Sequence, residues 1–242
     1  MPHTIRLDAR LSLAFDLYDC CGLAADIGTD HARLPAALLQ RGRCQRMILT
    51  DRSPDALRNA RDTVLRYRLS DRVSLRLGDG FAPLDEACGM VSVTGMGGRT
   101  VRDMLLTGRD RLRGASLILS AHTDIPLIRE AVCLIGYHIE REEPCFCAGR
   151  YYLVLRARPG IRPFTQKQIR IGGPLFDSGS DQLIPYLKRR REVLECSLRG
   201  LLSAGSPDSA MIAQLRGDID SYGAFIEKGI KPYDSEGNLW AD

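Results

Sequence analysis

The chain reads as an α/β protein: a seven-stranded, mostly parallel sheet with helices on both faces, followed by a C-terminal helical hairpin. Two observations predict the sheet. Short apolar runs with strand character alternate with amphipathic helical stretches up to Pro159, a pattern that right-handed crossovers convert into a parallel sheet. Glycines and carboxylates also recur where strands hand over to helices. A third observation predicts the hairpin: beyond Pro159 comes a proline- and glycine-rich linker, then two apolar stripes at helical spacing.

The 242 residues are enough for one α/β core and an appendage. We place the division at residues 1–160 and 161–242.

In chain order, Leu11 to Tyr18 is amphipathic and predicts a short helix covering the sheet edge. Strands are predicted at Leu23 to Ile27, Arg46 to Thr50, Val73 to Leu77, Val91 to Thr94, Leu117 to Ser120, Tyr137 to Glu142 and Tyr151 to Ala157. The intervening helices are Leu34 to Arg41, Pro54 to Tyr67, Arg99 to Leu106 and Ile125 to Leu134. Ser53 before Pro54 is a helix-start signal, since proline at the first helical position gives up an N–H that has no partner there. Gly42 and Gly136 fall where left-handed caps are needed. The last two strands are separated only by Glu143 to Arg150, which predicts an edge hairpin and one antiparallel strand. The linker, Arg158 to Gly179, holds a short helix near Gln166 to Ile169. The hairpin carries Leu183, Leu187, Leu194, Leu198, Leu201 and Leu202 on one arm and Ile212, Leu215, Ile219, Tyr222 and Ile226 on the other. A break between the two arms is expected at Gly205-Ser206-Pro207, and the tail after Gly229 is expected to fray, with Trp240 as its predicted docking contact.

Apolar residues at 44% and charged residues at 26% are ordinary for a globular chain, and no segment approaches the ~20 apolar residues of a membrane span. With nothing resembling a signal peptide, a cytoplasmic location is expected. Eight cysteines are scattered without Cys-x-x-Cys spacing or a nearby histidine pair, which predicts reduced, buried thiols and no metal. The net charge is +4, and the basic residues are overwhelmingly arginine, whose planar fork suits phosphates and base stacking.

The chemistry concentrates at strand ends. Asp26-Ile27-Gly28-Thr29-Asp30-His31-Ala32-Arg33 puts a glycine turn and ionisable side chains at a strand-to-helix junction. Open parallel sheets bind ligands there, because the strand end opens into a crevice and the helix offers unpaired N–H groups. A dinucleotide fingerprint would need Gly-x-Gly-x-x-Gly, whereas Asp30 stands at the second glycine and a carboxylate there repels a pyrophosphate. S-adenosylmethionine, with a ribose and a cationic sulfonium but no phosphate, tolerates such acids. Asp51 ends the second strand, where an acid can accept ribose hydroxyls, and Asp79 ends the third in Gly78-Asp79-Gly80, with Gly80 giving an adenine ring room. The plain alternatives are that Asp51 caps the next helix and that Gly78-Asp79-Gly80 is only a turn. Gly95-Met96-Gly97-Gly98 ends the fourth strand; it lacks the Gly-Lys-Ser/Thr of a phosphate loop and suits a pocket floor.

Together with the late Gly149-Arg150-Tyr151-Tyr152 and the Gly173-Pro174-Leu175 element, these motifs resemble the bacterial tRNA (adenine-N1)-methyltransferases that modify the D-arm adenine at nucleotide position 22. The resemblance spans about Leu11 to Leu202. It implies a Rossmann-like class I methyltransferase domain with a C-terminal coiled-coil-like domain, acting on tRNA with S-adenosylmethionine. Asp26, Gly28, Asp51, Asp79 and Gly80 would hold the cofactor, Gly95 and Gly97 would line its methionine side, and Asp30 and His31 would face the target base. The chain departs from the family at Thr94 (often alanine), Arg33 (often aromatic) and Ser120-Ala121-His122 (commonly Gln-Pro-Asn).

On that reading the reaction is an in-line displacement, in which alignment outweighs acid–base help. The Watson–Crick edge of the adenine must be exposed or flipped. Asp30 could stabilise the charge growing on the base, with His31 positioning the base or orienting Asp30; alternatively His31 is bonded to backbone at a helix start. Phosphate contacts are expected from Arg33, Arg41, Arg43 and Arg46, and from Lys188, Arg189, Arg190 and Arg191, although a solvated helix face would explain the second run as well. Two other readings stay open here: a class I methyltransferase for another substrate, and a non-catalytic RNA-binding module on the same fold.

Overall fold

The structure is a computed structural model and describes residues 4–203 and 208–232. Strands β1 (Cys21–Ile27), β2 (Cys44–Asp51), β3 (Val73–Leu77), β4 (Met90–Thr94), β5 (Ser116–Ala121), β6 (Tyr137–Cys147) and β7 (Arg150–Pro159) form one sheet in the order β3-β2-β1-β4-β5-β7-β6. All neighbours from β3 to β5 are parallel, and β7 is antiparallel to both β5 and β6. The expected edge hairpin is present, with β7 inserted and β6 outermost.

The helices are α1 (Ala9–Asp16), α2 (Arg33–Gln40), α3 (Pro54–Arg66), α4 (Gly98–Leu112), α5 (Ile125–Leu134), α6 (Gln166–Ile171), α7 (Leu183–Leu202) and α8 (Ser209–Lys228). Their starts follow local chemistry. Ser53 Oγ accepts from Ala56 N at 3.3 Å ahead of Pro54, and Thr165 and Gln168 close a reciprocal capping box on α6. Gly42 and Gly136 adopt φ of +73° and +81° just past α2 and α5, as their positions predicted.

Strand periodicity sorts the core onto two faces. Leu117 and Leu119 of β5 join the cluster under α4 and α5, while Ile118 between them joins the cluster under α1, α2 and α3. Each such fully buried side chain contributes about 1.5–3 kcal/mol. β6 runs five residues past its predicted end at Glu142, because Glu142 and Glu143 are buried rather than solvated. Glu142 Oε1 accepts from Arg129 Nε at 2.6 Å, and its Oε2 accepts from the N–H groups of Gly173 and Leu175 at 3.0 and 3.1 Å. Arg129 also donates to the carbonyls of Ile169 and Arg170 at the end of α6.

This buried ion pair stitches the linker to the sheet. Arg170 pairs with Asp218 of α8, and Tyr222 Oη donates to the Ile171 carbonyl at 3.0 Å. Leu183, Tyr186, Leu187 and Tyr222 share one core cluster with Leu153 and Leu155 of β7, so packing continues across residue 160. The hairpin arms are helices α7 and α8 as expected; the break at Gly205-Ser206-Pro207 and the contact of Trp240 lie outside the described residues. All eight cysteines are free, but only Cys44, Cys88 and Cys145 are buried; Cys21, Cys133 and Cys147 are partly exposed and Cys20 and Cys196 exposed. Among the described residues no group of three or more His, Cys, Asp or Glu is placed to hold a metal, and no helix is long and apolar enough to cross a membrane.

Candidate active site

The carboxyl ends of β1, β2, β3 and β4 converge on one hollow of about 230 Å³. Gly28 from β1, Asp51 from β2, Gly78-Asp79-Gly80 after β3 and Met96-Gly97 after β4 line it, with Thr100 and Met104 of α4 closing one side. Parallel pairing puts these strand ends level, since Ile27 lies beside Thr50 and Val93, and Asp51 beside Leu77.

Gly28 has a reason to be glycine. Its φ is +70°, a left-handed conformation that favours glycine, and the Met96 side chain lies where a Cβ would project. Backbone strain continues past it: Asp30 and Ala32 hold φ of +36° and +50°, a left-handed geometry that costs a non-glycine residue about 1–2 kcal/mol. Outliers of this kind cluster where a loop must present particular groups. Gly98 is held for a different reason, as its Cβ would sit 2.4 Å from the Thr123 carbonyl oxygen in the β5–α5 loop.

Asp51 Oδ1 accepts from Ser53 N at 2.9 Å, so the carboxylate is oriented by the turn while Ser53, not Asp51, caps α3. Asp79, after the neighbouring strand β3, is exposed. Thr50 at the end of β2 belongs to the lining, but its hydroxyl is fully buried and has no hydrogen-bond partner among the described residues.

Two expected members stand elsewhere. Asp26 is 4% exposed and lies behind the wall, because its side chain turns toward β4: the Ser92 hydroxyl, its cross-strand neighbour, donates to Asp26 Oδ1 and itself accepts from Tyr18 Oη at 3.0 Å. Burial pushes the Asp26 carboxyl up to about 6, against the pull of Ser92 and Arg10. Gly95 does not line the hollow either; its φ is +91°, and Arg10 Nη1 lies 3.7 Å from where its Cβ would be.

Asp30 and His31 stand exposed just beyond Gly28. His31 Nε2 is 3.4 Å from Asp30 Oδ2, and Asn59 Nδ2 of α3 donates to Asp30 Oδ1 at 3.1 Å. Neither lines the hollow. Asn59, Ser92, Tyr18 and Arg10 were missed from sequence because their partners lie far along the chain; only Asn59, one turn and a half into the helix after Asp51, sits near a motif.

The arginines divide. Arg33 is exposed at the cleft end of α2, where its Nη2 donates to the Arg6 carbonyl. Arg41 and Arg43 sit at the other end of that helix, before β2 begins, and stack over Phe15 at 4.8 and 5.3 Å. The eight-residue β2, about 25 Å at strand rise, separates them from the hollow, so the structure does not bring them together with it. Arg46 lies at that end as well. On α7, Lys188 and Arg189 are exposed, whereas Arg191 is engaged by Glu195 and Glu227.

A family model described as a methyltransferase domain matches residues 7–155. The tRNA (adenine(22)-N(1))-methyltransferase of Bacillus subtilis (strain 168) is 28% identical over 162 residues, 66% of this chain and 68% of that protein. The crystal structure of Streptococcus pneumoniae Sp1610, a putative tRNA (m1A22) methyltransferase, in complex with S-adenosyl-L-methionine superposes with a TM-score of 0.80 at 23% identity, covering 92% of this chain and 100% of that one. M. capricolum TrmK in complex with S-adenosyl-homocysteine gives 0.77 at 21% identity, over 93% and 99%. The fold of these structures is the fold observed here, and by the family match, which runs from the segment before α1 into β7, the chain belongs to the methyltransferase-domain family.

Proposed function

We propose that this protein transfers the methyl group of S-adenosylmethionine to N1 of an adenine in the D-arm of tRNA, at nucleotide position 22, with residues 1–160 as the catalytic unit and 161–242 as an RNA-holding unit. The observation that carries the proposal is the meeting of Gly28, Asp51, Asp79, Gly80 and Gly97 in one hollow, in a chain whose relatives bear that activity in their names. A cytoplasmic location belongs to the same reading.

The hollow fits the cofactor. Two carboxylates face its opening with Arg52 the sole basic residue in its lining, which suits hydroxyls, an amino group and a cation and disfavours a pyrophosphate. Asp51 would accept from the ribose hydroxyls and Asp79 from the adenine amino group. When bound, the cofactor supplies an electrophilic methyl group on a sulfonium. The strained turn from Gly28 to Ala32 then holds Asp30 exposed just beyond the hollow, where Asn59 fixes one carboxylate oxygen and His31 flanks the other. Asp30 faces the positive charge that builds on the adenine as N1 is alkylated, and electrostatic stabilisation of this kind is typically a large catalytic contribution. His31 positions the base. Met96 and Met104 wall the cleft and exclude water from it. The basic groups that face solvent near the cleft and on α7, Arg33, Lys188 and Arg189, supply phosphate contacts.

Asp30→Ala tests the assignment. It should retain cofactor binding by calorimetry and lose about 100-fold or more of the methylation of a tRNA transcript. Wild-type turnover in that variant would remove Asp30 from the mechanism.

A further inference from the structure

Beside the cofactor cleft lies a second and larger hollow of about 410 Å³, walled by the β5–α5 loop, the β6–β7 turn and α7. We propose that it is a nucleotide subsite: it takes one nucleotide of the bound RNA adjacent to the methylated adenine, with the base against Phe146 and Tyr151 and the phosphate on Arg150, Arg189 and Arg190. This rests on the RNA-methyltransferase reading above and adds the place where a flanking nucleotide is held.

The electrostatics are one-sided. Three guanidinium groups line the hollow and no carboxylate does. Arg150 and Arg190 form no ion pair with any described residue, Arg190 lying within reach of the Tyr222 hydroxyl, and the single such pair of Arg189, with Glu192, is exposed. An uncompensated cluster of arginines is a site for an anion that accepts planar donors, which phosphate does.

The aromatic wall says which anion. Phe146 is 49% exposed although it is a large apolar residue, its ring 4.9 Å from that of Tyr151, which in turn meets Tyr186 edge-on at 5.9 Å. The turn that presents them is tight: Ala148 and Gly149 take φ of +48° and +78°, a two-residue hairpin geometry that sets Phe146 and Arg150 at the strand ends. An open aromatic face beside arginines that outnumber the carboxylates is the arrangement on which single-stranded nucleotides stack. Free inorganic phosphate would have no use for the rings.

The position relative to the cleft is the third argument. His122 lines the arginine hollow, while the next residue, Thr123, packs against Gly97 and Gly98 at the floor of the cofactor cleft. One loop is therefore the partition between the two. A line of side chains crosses it as well: Arg10, beside Gly95, lies over the Tyr152 ring at 5.4 Å, and Tyr152 meets His122 edge-on at 5.4 Å. A strand whose adenine enters the cleft passes over that line and drops its neighbour into the second hollow.

The test is ultraviolet cross-linking of a tRNA transcript to the full-length protein with peptide mapping, alongside filter-binding affinities for Arg150→Glu/Arg189→Glu and Phe146→Ala. Cofactor titration serves as the folding check for each variant. Expected are cross-links on the Phe146–Tyr152 peptide, a salt slope of binding shallower by about 0.7 for each arginine reversed, and a Kd weaker by about five- to a hundredfold for Phe146→Ala. Arg150→Lys should keep the wild-type salt slope while recovering only part of the affinity, since lysine supplies the charge but not the planar fork. Wild-type protein that binds tRNA while both variants keep wild-type affinity and the cross-links map elsewhere overturns the subsite alone. Wild-type protein that binds no tRNA overturns the subsite and the RNA reading together.

Discussion

Replacing Asp26 with asparagine separates the pH-dependent contribution of one buried carboxyl from everything else in the fold. Asp26 is 4% exposed and its pKa is raised from 3.8 to about 6, chiefly by burial. A carboxyl with a raised folded-state value binds its proton more tightly in the native chain than in the unfolded one. Its contribution to stability is therefore fully present below its unfolded value, is lost as pH rises through about 6, and above that is a constant penalty of about 3 kcal/mol. Asparagine keeps an oxygen that can accept from the Ser92 hydroxyl but cannot ionise. The stability difference between Asp26→Asn and wild type should then move in favour of the variant by about 2 kcal/mol between about pH 4.5 and about pH 7.5, with any pH-independent cost, such as altered packing of the amide, cancelling in the comparison. Urea unfolding at several pH values, with matched m-values, reads it directly. A difference that stays flat across that range, or that moves against the variant as pH rises, would refute the burial argument.

Two further substitutions probe the scaffold. Gly98→Ala should lower stability by about 1–3 kcal/mol, read as a fall in Tm, because the new methyl group meets backbone carbonyls of Thr123 and Asp124 that cannot rotate away; an unchanged Tm would mean that the β5–α5 loop yields freely. Glu142→Ala leaves Arg129, 2% exposed, without its carboxylate and frees two linker N–H groups, so denaturant unfolding should show a loss of about 3–5 kcal/mol, whereas a loss below about 1 kcal/mol would show that the pair does not lock the linker.

The sheet was legible because its signals are local. Parallel strands buried on both faces read as apolar runs, and the glycines and acids that end β1 to β4 announce themselves one strand at a time. β6 came out longer than predicted where its boundary depends on distant partners: the segment from Glu143 on looks like a solvated turn until Ser178 is seen to satisfy Glu143, as Arg129 satisfies its neighbour Glu142. Asp26 shows the converse. Its place at the end of β1 suggested a cofactor contact, but which way a strand-end side chain turns is decided by the neighbour across the sheet, and Ser92 is 66 residues away. Arg41 and Arg43 were grouped with Arg33 by closeness in sequence, yet one helix puts them at opposite ends of the sheet. The arginine hollow escaped notice because its walls come from three elements separated by the linker.

The central claim is that one hollow at the carboxyl ends of β1 to β4 holds S-adenosylmethionine, and calorimetric titration of that cofactor into wild-type protein and Asp51→Asn tests it most directly. The account predicts a single site per chain, with affinity falling about ten- to a hundredfold in the variant as a charge-assisted bond to ribose is lost. No binding by the wild type, or equal affinity in the two proteins, would contradict it.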